Sequence, residues 1–126
     1  LQFLTDEYAA AVTAALGESD GFTDSIQGVE MSLLFIVTDG PSGDVKQVVD
    51  IKDGAATVSI GDIDDPTITI TAGYDTMAAI SKGELNTQMA FMTGKLKVSG
   101  DMGKLMMHQK ALNEYTSVVS GLDVEF

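Results

Sequence analysis

The sequence predicts an α+β domain: a sheet of five strands, with helical segments before it, between its fourth and fifth strands and after it. Three observations carry that class. Five apolar or alternating runs, separated by Gly-, Asp- and Pro-containing turns, fall between Val29 and Ser99. Apolar residues at helical spacing open and close the chain. The 126 residues suffice for one core and no second one is visible, so residues 1–126 read as a single domain.

Leu1, Leu4, Tyr8, Val12, Ala15 and Leu16 recur at helical spacing, with Gly17 as the expected C-terminal cap. The pattern begins without an initiator Met, as at a processing boundary, and nothing in it resembles a signal peptide. Residues 18–27 mix Gly, Ser and Asp and read as a linker. Val29 to Thr38 is apolar at alternate positions on both faces, which predicts a central strand covered on both sides. D-G-P-S-G (residues 39–43) is a turn by composition. Val45 to Ile51 and Ala55 to Ile60, joined at Lys52-Asp53-Gly54, complete an antiparallel meander. The acidic G-D-I-D-D-P (residues 61–66) lacks the alternating ligands, central Gly and distal Glu of a calcium loop and reads as a solvated turn. Thr67 to Thr71 is a fourth strand with Ile68 and Ile70 on its buried face. Tyr74, Met77, Ala78 and Ile80 mark a short helix ending at Ser81 to Gly83, and Asn86 is placed to cap another that runs to Met92. Lys95 to Ser99 alternates as the fifth strand, and Met102 to about Leu112 forms a Met-rich helix with few charges. Tyr115, Val118, Val119 and Leu122 extend the apolar spacing, so the C-terminal segment packs back on the domain.

Composition excludes more than it assigns. With 7 Lys, no Arg and 19 acidic residues the formal net charge is −12, which repels nucleic acid and disfavours a polybasic grip on anionic membranes, leaving at most transient membrane contact. The absence of Cys removes disulfides, thiolate catalysis and cysteine-ligated metals. His108 is the sole imidazole and has no nucleophile motif to serve; no phosphate loop of Walker or G-x-G-x-x-G type is present. No catalytic residue, metal ligand or cofactor site is therefore assigned. The longest apolar run, Leu33 to Val37, is far short of the ~18 residues of a membrane span. Six of seven Met lie in the C-terminal half, a residue suited to surfaces that accept more than one apolar guest.

Those methionines surround the most distinctive stretch. A-F-M-T-G-K-L-K-V-S-G-D-M-G (residues 90–103) resembles the A-F-x-x-G-K-L-K-[IV]-x-G-[ND]-M signature of the sterol carrier protein 2 family of lipid-binding domains. T-D-G-P-S-G-D-V-K-Q-V-V-D-I-K-D-G (residues 38–54) is similar to that family's first hairpin, and D-P-T-I-T-I (residues 65–70) to its next strand. G-E-L-N-T-Q (residues 83–88) resembles its G-K-[ML]-N-P-Q, with Thr87 where proline is usual. In family order, the resemblance runs from about Val29 to about Leu112. It implies a five-stranded mixed sheet, helices on one face, and an apolar tunnel for a fatty acid, fatty acyl-CoA or sterol, with the Met/Leu helix as one wall.

On that resemblance the tunnel wall consists of Leu33, Phe35, Ile70, Met77, Ile80, Phe91, Met92, Met102, Leu105 and Met106, with Gln88 as a polar contact. The missing Arg argues for recognition of the lipid's tail rather than its head. The implied function is non-enzymatic binding and intracellular transfer of lipids; the sequence leaves the oligomeric state open, with a monomer as the expectation. The sequence leaves the compartment open; the expectation is a soluble intracellular protein, cytoplasmic or, since the chain ends Val-Glu-Phe, peroxisomal without the family's usual C-terminal tripeptide. The alternative is an accessory, lipid-presenting domain of a multidomain enzyme.

Overall fold

The computed structural model describes residues 2–41 and 43–125, with the side chains of Thr87 and Gln88 outside the described set. Leu1, read above as the first apolar position of the opening helix, therefore lies outside it too.

Helix α1 spans Asp6–Glu18. Thr5 caps it, its Oγ1 accepting the Tyr8 amide at 3.2 Å, and Asp6 and Glu7 complement the positive end of the helix dipole. Tyr8, Val12 and Leu16, four apart, form its buried stripe. Gly17 does not end the helix. Ser19 does, and its own Oγ accepts the Phe22 amide to cap a second helix, α2 (Asp20–Ser25). The stretch read as a linker thus folds, because a single turn buries Phe22 and carries the chain to buried Ile26.

The sheet follows: β1 (Met31–Gly40), β2 (Gly43–Lys52), β3 (Ala55–Ile60), β4 (Ile68–Gly73) and, after two helices, β5 (Leu96–Gly100). Spatial order is β3-β2-β1-β4-β5. The β1-β2-β3 meander is antiparallel, β4 crosses over to lie parallel to β1, and β5 is antiparallel to β4. The K-D-G turn between β2 and β3 places Asp53 at φ 53° and Gly54 at φ 74°, the pair of positive values whose twist suits a two-residue hairpin. Beyond β4 come α3 (Tyr74–Ser81) and α4 (Thr87–Met92), the latter with Asn86 Oδ1 accepting the Met89 amide at 3.4 Å. At the other end of the sheet, Gly100 at φ 110° lets β5 press against Thr67 and Ile68 of the neighbouring strand; a Cβ there would collide with the Thr67 carbonyl oxygen.

Helices cover one face only. The rows Ile60-Gln47-Phe35-Ile70-Val98 and Val58-Val49-Leu33-Ile68 point inward, and apart from Gln47 and Gly100 the inward positions belong to or pack against one hydrophobic core shared with the helices. Double coverage of β1 is not observed. On its other face Leu34 and Val48 are buried opposite one another but stand outside that core, among the half- or fully exposed Ser32, Lys46, Ser59, Thr69 and Thr71. α1 seals the edge strand β3: Val58 donates its outward amide to Thr13 Oγ1 at 2.9 Å.

The Met-rich segment is two helices, not one. α5 (Met102–Met107) ends at His108, whose backbone (φ −114°, ψ 31°) is not helical, and α6 (Gln109–Ser120) begins after it and buries Ala111 and Val119. A parallel bridge pairs Gln2 with Glu125, and the Phe3 amide donates to the Glu125 carbonyl at 2.9 Å, so the two ends of the described chain lie side by side.

Candidate functional site

Between the covered face of the sheet and the helices the structure holds a cavity of about 400 Å³. Its floor is one row of the sheet: Gln47 of β2, Phe35 of β1, Ile70 of β4 and Val98 of β5, with Leu96 beside them. Phe3, Leu4 and Tyr8 close one end; Met77, Ile80 and Ser81 of α3 form a side. From α6 come Leu112, Tyr115 and Val119, with the polar Gln109, Asn113 and Thr116. Phe91 and Met92 of α4, with Met102, Leu105 and Met106 of α5, complete it. This last group marks the mouth, because Met92 is 75 % exposed and Met106 63 % exposed, where the floor residues Phe35 and Ile70 are buried. No buried residue anchors α5.

Among the described residues, none lining the cavity is charged. Two of its polar groups, Gln47 and Tyr115, pair with one another. Gln47 is buried, its Nε2 donates to the Tyr115 hydroxyl at 3.1 Å, and its Oε1 has no hydrogen-bond partner among the described residues. The Tyr115 ring stacks on Phe35 with centroids 6.1 Å apart. Tyr115 keeps some accessible surface, yet it lines the cavity rather than open solvent, and loss of hydration, reinforced by nearby Tyr8 and partly offset by Gln47, pushes its phenol far above the ordinary tyrosine range. Burial likewise pushes Tyr8 up to about 12, against the opposing effect of its hydrogen bond to Ser81. Both phenols are therefore neutral at physiological pH. The cavity offers hydroxyl and amide dipoles, no ion, and mostly hydrocarbon: an environment that suits an aliphatic guest and penalises a bare carboxylate or phosphate.

A profile of the SCP-2 sterol transfer family matches residues 15–113, about four-fifths of the chain. The chain belongs to that family. Sterol carrier protein 2 of Gallus gallus is 38 % identical over 93 residues, 73 % of this chain and 16 % of the relative. Peroxisomal multifunctional enzyme A of Dictyostelium discoideum is 41 % identical over 56 residues, 44 % of this chain and 13 % of the relative. The chain thus spans about one-sixth of the curated relatives it matches. A crystal structure of sterol carrier protein 2 superposes with a TM-score of 0.84 at 25 % identity, covering 97 % of this chain and all of that one. The five-stranded mixed sheet with helices on one face is accordingly the SCP-2 fold.

Of the residues singled out from sequence, Phe35, Ile70, Met77, Ile80, Phe91, Met92, Met102, Leu105 and Met106 all line this one cavity. Leu33 does not; it lies in the fully buried row between Val49 and Ile68, two residues along the strand from the cavity floor. Gln88 falls in α4, but its side chain lies outside the described residues. Sequence reasoning missed Gln47 and Tyr115. The signal for Gln47 was present: it is the polar member of the stripe Val45, Gln47, Val49, Ile51. The acidic turn holds Asp62 in a 3.1 Å ion pair with Lys46, which, together with the Ile63 amide, lowers its carboxyl below the usual range.

Proposed function

We propose that this SCP-2 domain binds a lipid by its hydrocarbon portion in the cavity and carries it between sites inside the cell without transforming it. Fatty acids, fatty acyl-CoA and sterols are the candidate cargoes. The observation that carries the reading is the uncharged cavity whose mouth is edged by exposed Met and Phe side chains. Burying a methylene gains ~0.8 kcal/mol, so ten carbons offer about 8 kcal/mol before ordering costs, enough for micromolar binding without any ionic contact. A charged head pays to enter such a lining and stays at the mouth. The matched family and the Gallus gallus relative are named for sterol transfer and carriage, which agrees with the same use of the site.

The test is native mass spectrometry of the purified protein, followed by displacement of a fluorescent fatty acid. A lipid mass on the folded protein is expected, as is a loss of at least tenfold in affinity for Phe91→Asp, an exposed position outside the buried core, with folding of the variant checked by circular dichroism. No lipid mass and no displaceable probe, or unchanged affinity in the folded variant, defeats the reading. A second reading is supported by the relatives' length: the matched parts are 16 % and 13 % of those proteins. The domain would then present lipid to a catalytic partner in the same polypeptide. The size of the natural protein on an immunoblot separates the two.

A further inference from the structure

Most polar groups around the cavity have partners. Gln109 and Asn113 are exposed to water, the Thr116 hydroxyl donates to the Leu112 carbonyl at 3.0 Å, and Tyr8 shares a hydrogen bond with Ser81. Gln47 is different. It is 4 % exposed, lines the cavity, and carries in Oε1 the one buried side-chain atom among the described residues without a hydrogen-bond partner. Its neighbour Tyr115 is equally incomplete: the phenol oxygen accepts from Gln47 Nε2 at 3.1 Å, which leaves its own proton without an acceptor among the described residues. Turning the amide about its last bond swaps the roles, with the phenol donating to Oε1 and Nε2 left free. In both settings the pair keeps a donor and an acceptor to offer. It also sits far from the entrance. Along the floor row Gln47, Phe35, Ile70, Val98, three interstrand steps of ~4.8 Å put it about 14 Å from β5. The mouth lies on the β5 side, where α4 packs against β5 and α5 follows that strand directly.

We propose that the Gln47–Tyr115 pair is a polar subsite for a hydroxyl carried on the buried part of an acyl chain, so that the cavity selects mid-chain hydroxylated fatty acids over plain ones. An extended chain advances about 1.2 Å per bond, as the three bonds of a residue span ~3.5 Å, so with its carboxylate at the mouth it reaches the pair after about twelve bonds. A hydroxyl there both donates and accepts, and completes Gln47 and Tyr115 together. A carboxylate brings only acceptors and a charge that this lining penalises. Any water resting on the pair is displaced without loss only by a guest that reproduces its hydrogen bonds, which a plain hydrocarbon cannot do. The same hydroxyl placed nearer the mouth lies over Ile70 and Phe35, where it loses its hydration and finds no partner. The inference rests on the carrier reading and adds to it the kind of chain that is preferred.

Competition against a fluorescent fatty acid compares 12-hydroxyoctadecanoate, 7-hydroxyoctadecanoate and octadecanoate. The two hydroxy acids are isomers with the same chain and the same hydroxyl, so any difference between them reports where the hydroxyl falls. The 12-isomer is expected to bind at least tenfold more tightly than the 7-isomer. In Gln47→Leu/Tyr115→Phe, which replaces the pair by apolar side chains and is checked for folding by circular dichroism, that preference should disappear. Equal or reversed affinities of the isomers in the unaltered protein overturn the proposal, and so does a preference that survives in the folded double variant. Should the variant not fold, the isomer comparison in the unaltered protein still decides. Octadecanoate displacing the probe while neither hydroxy acid does so removes the subsite and leaves the carrier reading intact. Failure of all three acids, with no lipid mass on the purified protein, defeats both.

Discussion

Replacing Val98 by Phe should move stability and lipid affinity in opposite directions. Val98 stands on β5 at the end of the cavity-floor row, opposite Ile70, half-buried and with the cavity before it. Phenylalanine adds four carbons on a strand that favours aromatic residues. At ~0.8 kcal/mol per buried carbon, complete burial would gain ~3 kcal/mol; a half-exposed position should realise about 1 kcal/mol, or ~3–5 °C in Tm at this chain length. The ring also occupies the room of about four ligand methylenes, so affinity for a long-chain fatty acid should drop by ~3 kcal/mol, roughly a hundredfold in Kd. Denaturant unfolding of the delipidated protein and displacement of a fluorescent fatty acid measure the two effects. If Val98 were instead part of a filled core, overpacking would cost about 1–3 kcal/mol and binding would be unaffected. Lower stability with unchanged affinity would refute the reasoning.

The orphaned Gln47 Oε1 leads to a second stability gain: Gln47→Leu/Tyr115→Phe removes both partners of a buried hydrogen bond together with an unpaired carbonyl, and should be neutral to about 2 kcal/mol stabilising, read by urea unfolding. Gln47→Leu alone leaves the Tyr115 hydroxyl without its donor and should be less stable than the double variant. Gly100→Ala introduces a Cβ against the Thr67 carbonyl at a positive φ, for an expected loss of about 2–4 kcal/mol, seen as a lower denaturation midpoint. Alkaline pH should unfold the domain through its tyrosines. Tyr8 ionises near 10 when unfolded and only at about 12 when folded, so its contribution is complete below pH 10 and is lost as pH rises through 12; Tyr115, raised further, extends the loss upward. In a Tyr74→Phe background, which leaves only these two phenols, phenolate absorbance and loss of helix signal should therefore rise together, whereas phenolate appearing near pH 10 in a folded protein would contradict the burial of both rings.

The strands were legible because their cues are local. Alternation in Thr67 to Thr71 and the Asp-Gly pair at the β2-β3 turn each specify a conformation without help from distant residues. What escaped depends on tertiary contacts. α2 looks like a linker until Phe22 and Ile26 meet a core, and the break at His108 has no Gly or Pro to announce it. The helix breaks there because the residues after it reach buried positions, while Met102, Leu105 and Met106 remain at the cavity mouth. Leu34 and Ile36 gave β1 a two-sided pattern, but the second face is screened by its own neighbours, not by helices. The cavity residues were accessible to family resemblance and strand parity to the extent that parity picks a face. Parity does not say how far along the strand the cavity reaches, which is why Phe35 lines it and Leu33 does not.

The parallel bridge between Gln2 and Glu125 gives the domain a single point of attachment. Polypeptide joined before one residue and after the other would leave from adjacent positions, so the fold can be spliced into a host sequence like a bead on a loop, without the host having to span it. Phe3 and Leu4, immediately beside that junction, are also cavity wall. A pull applied at that junction would bear first on the end of the cavity that Phe3 and Leu4 close.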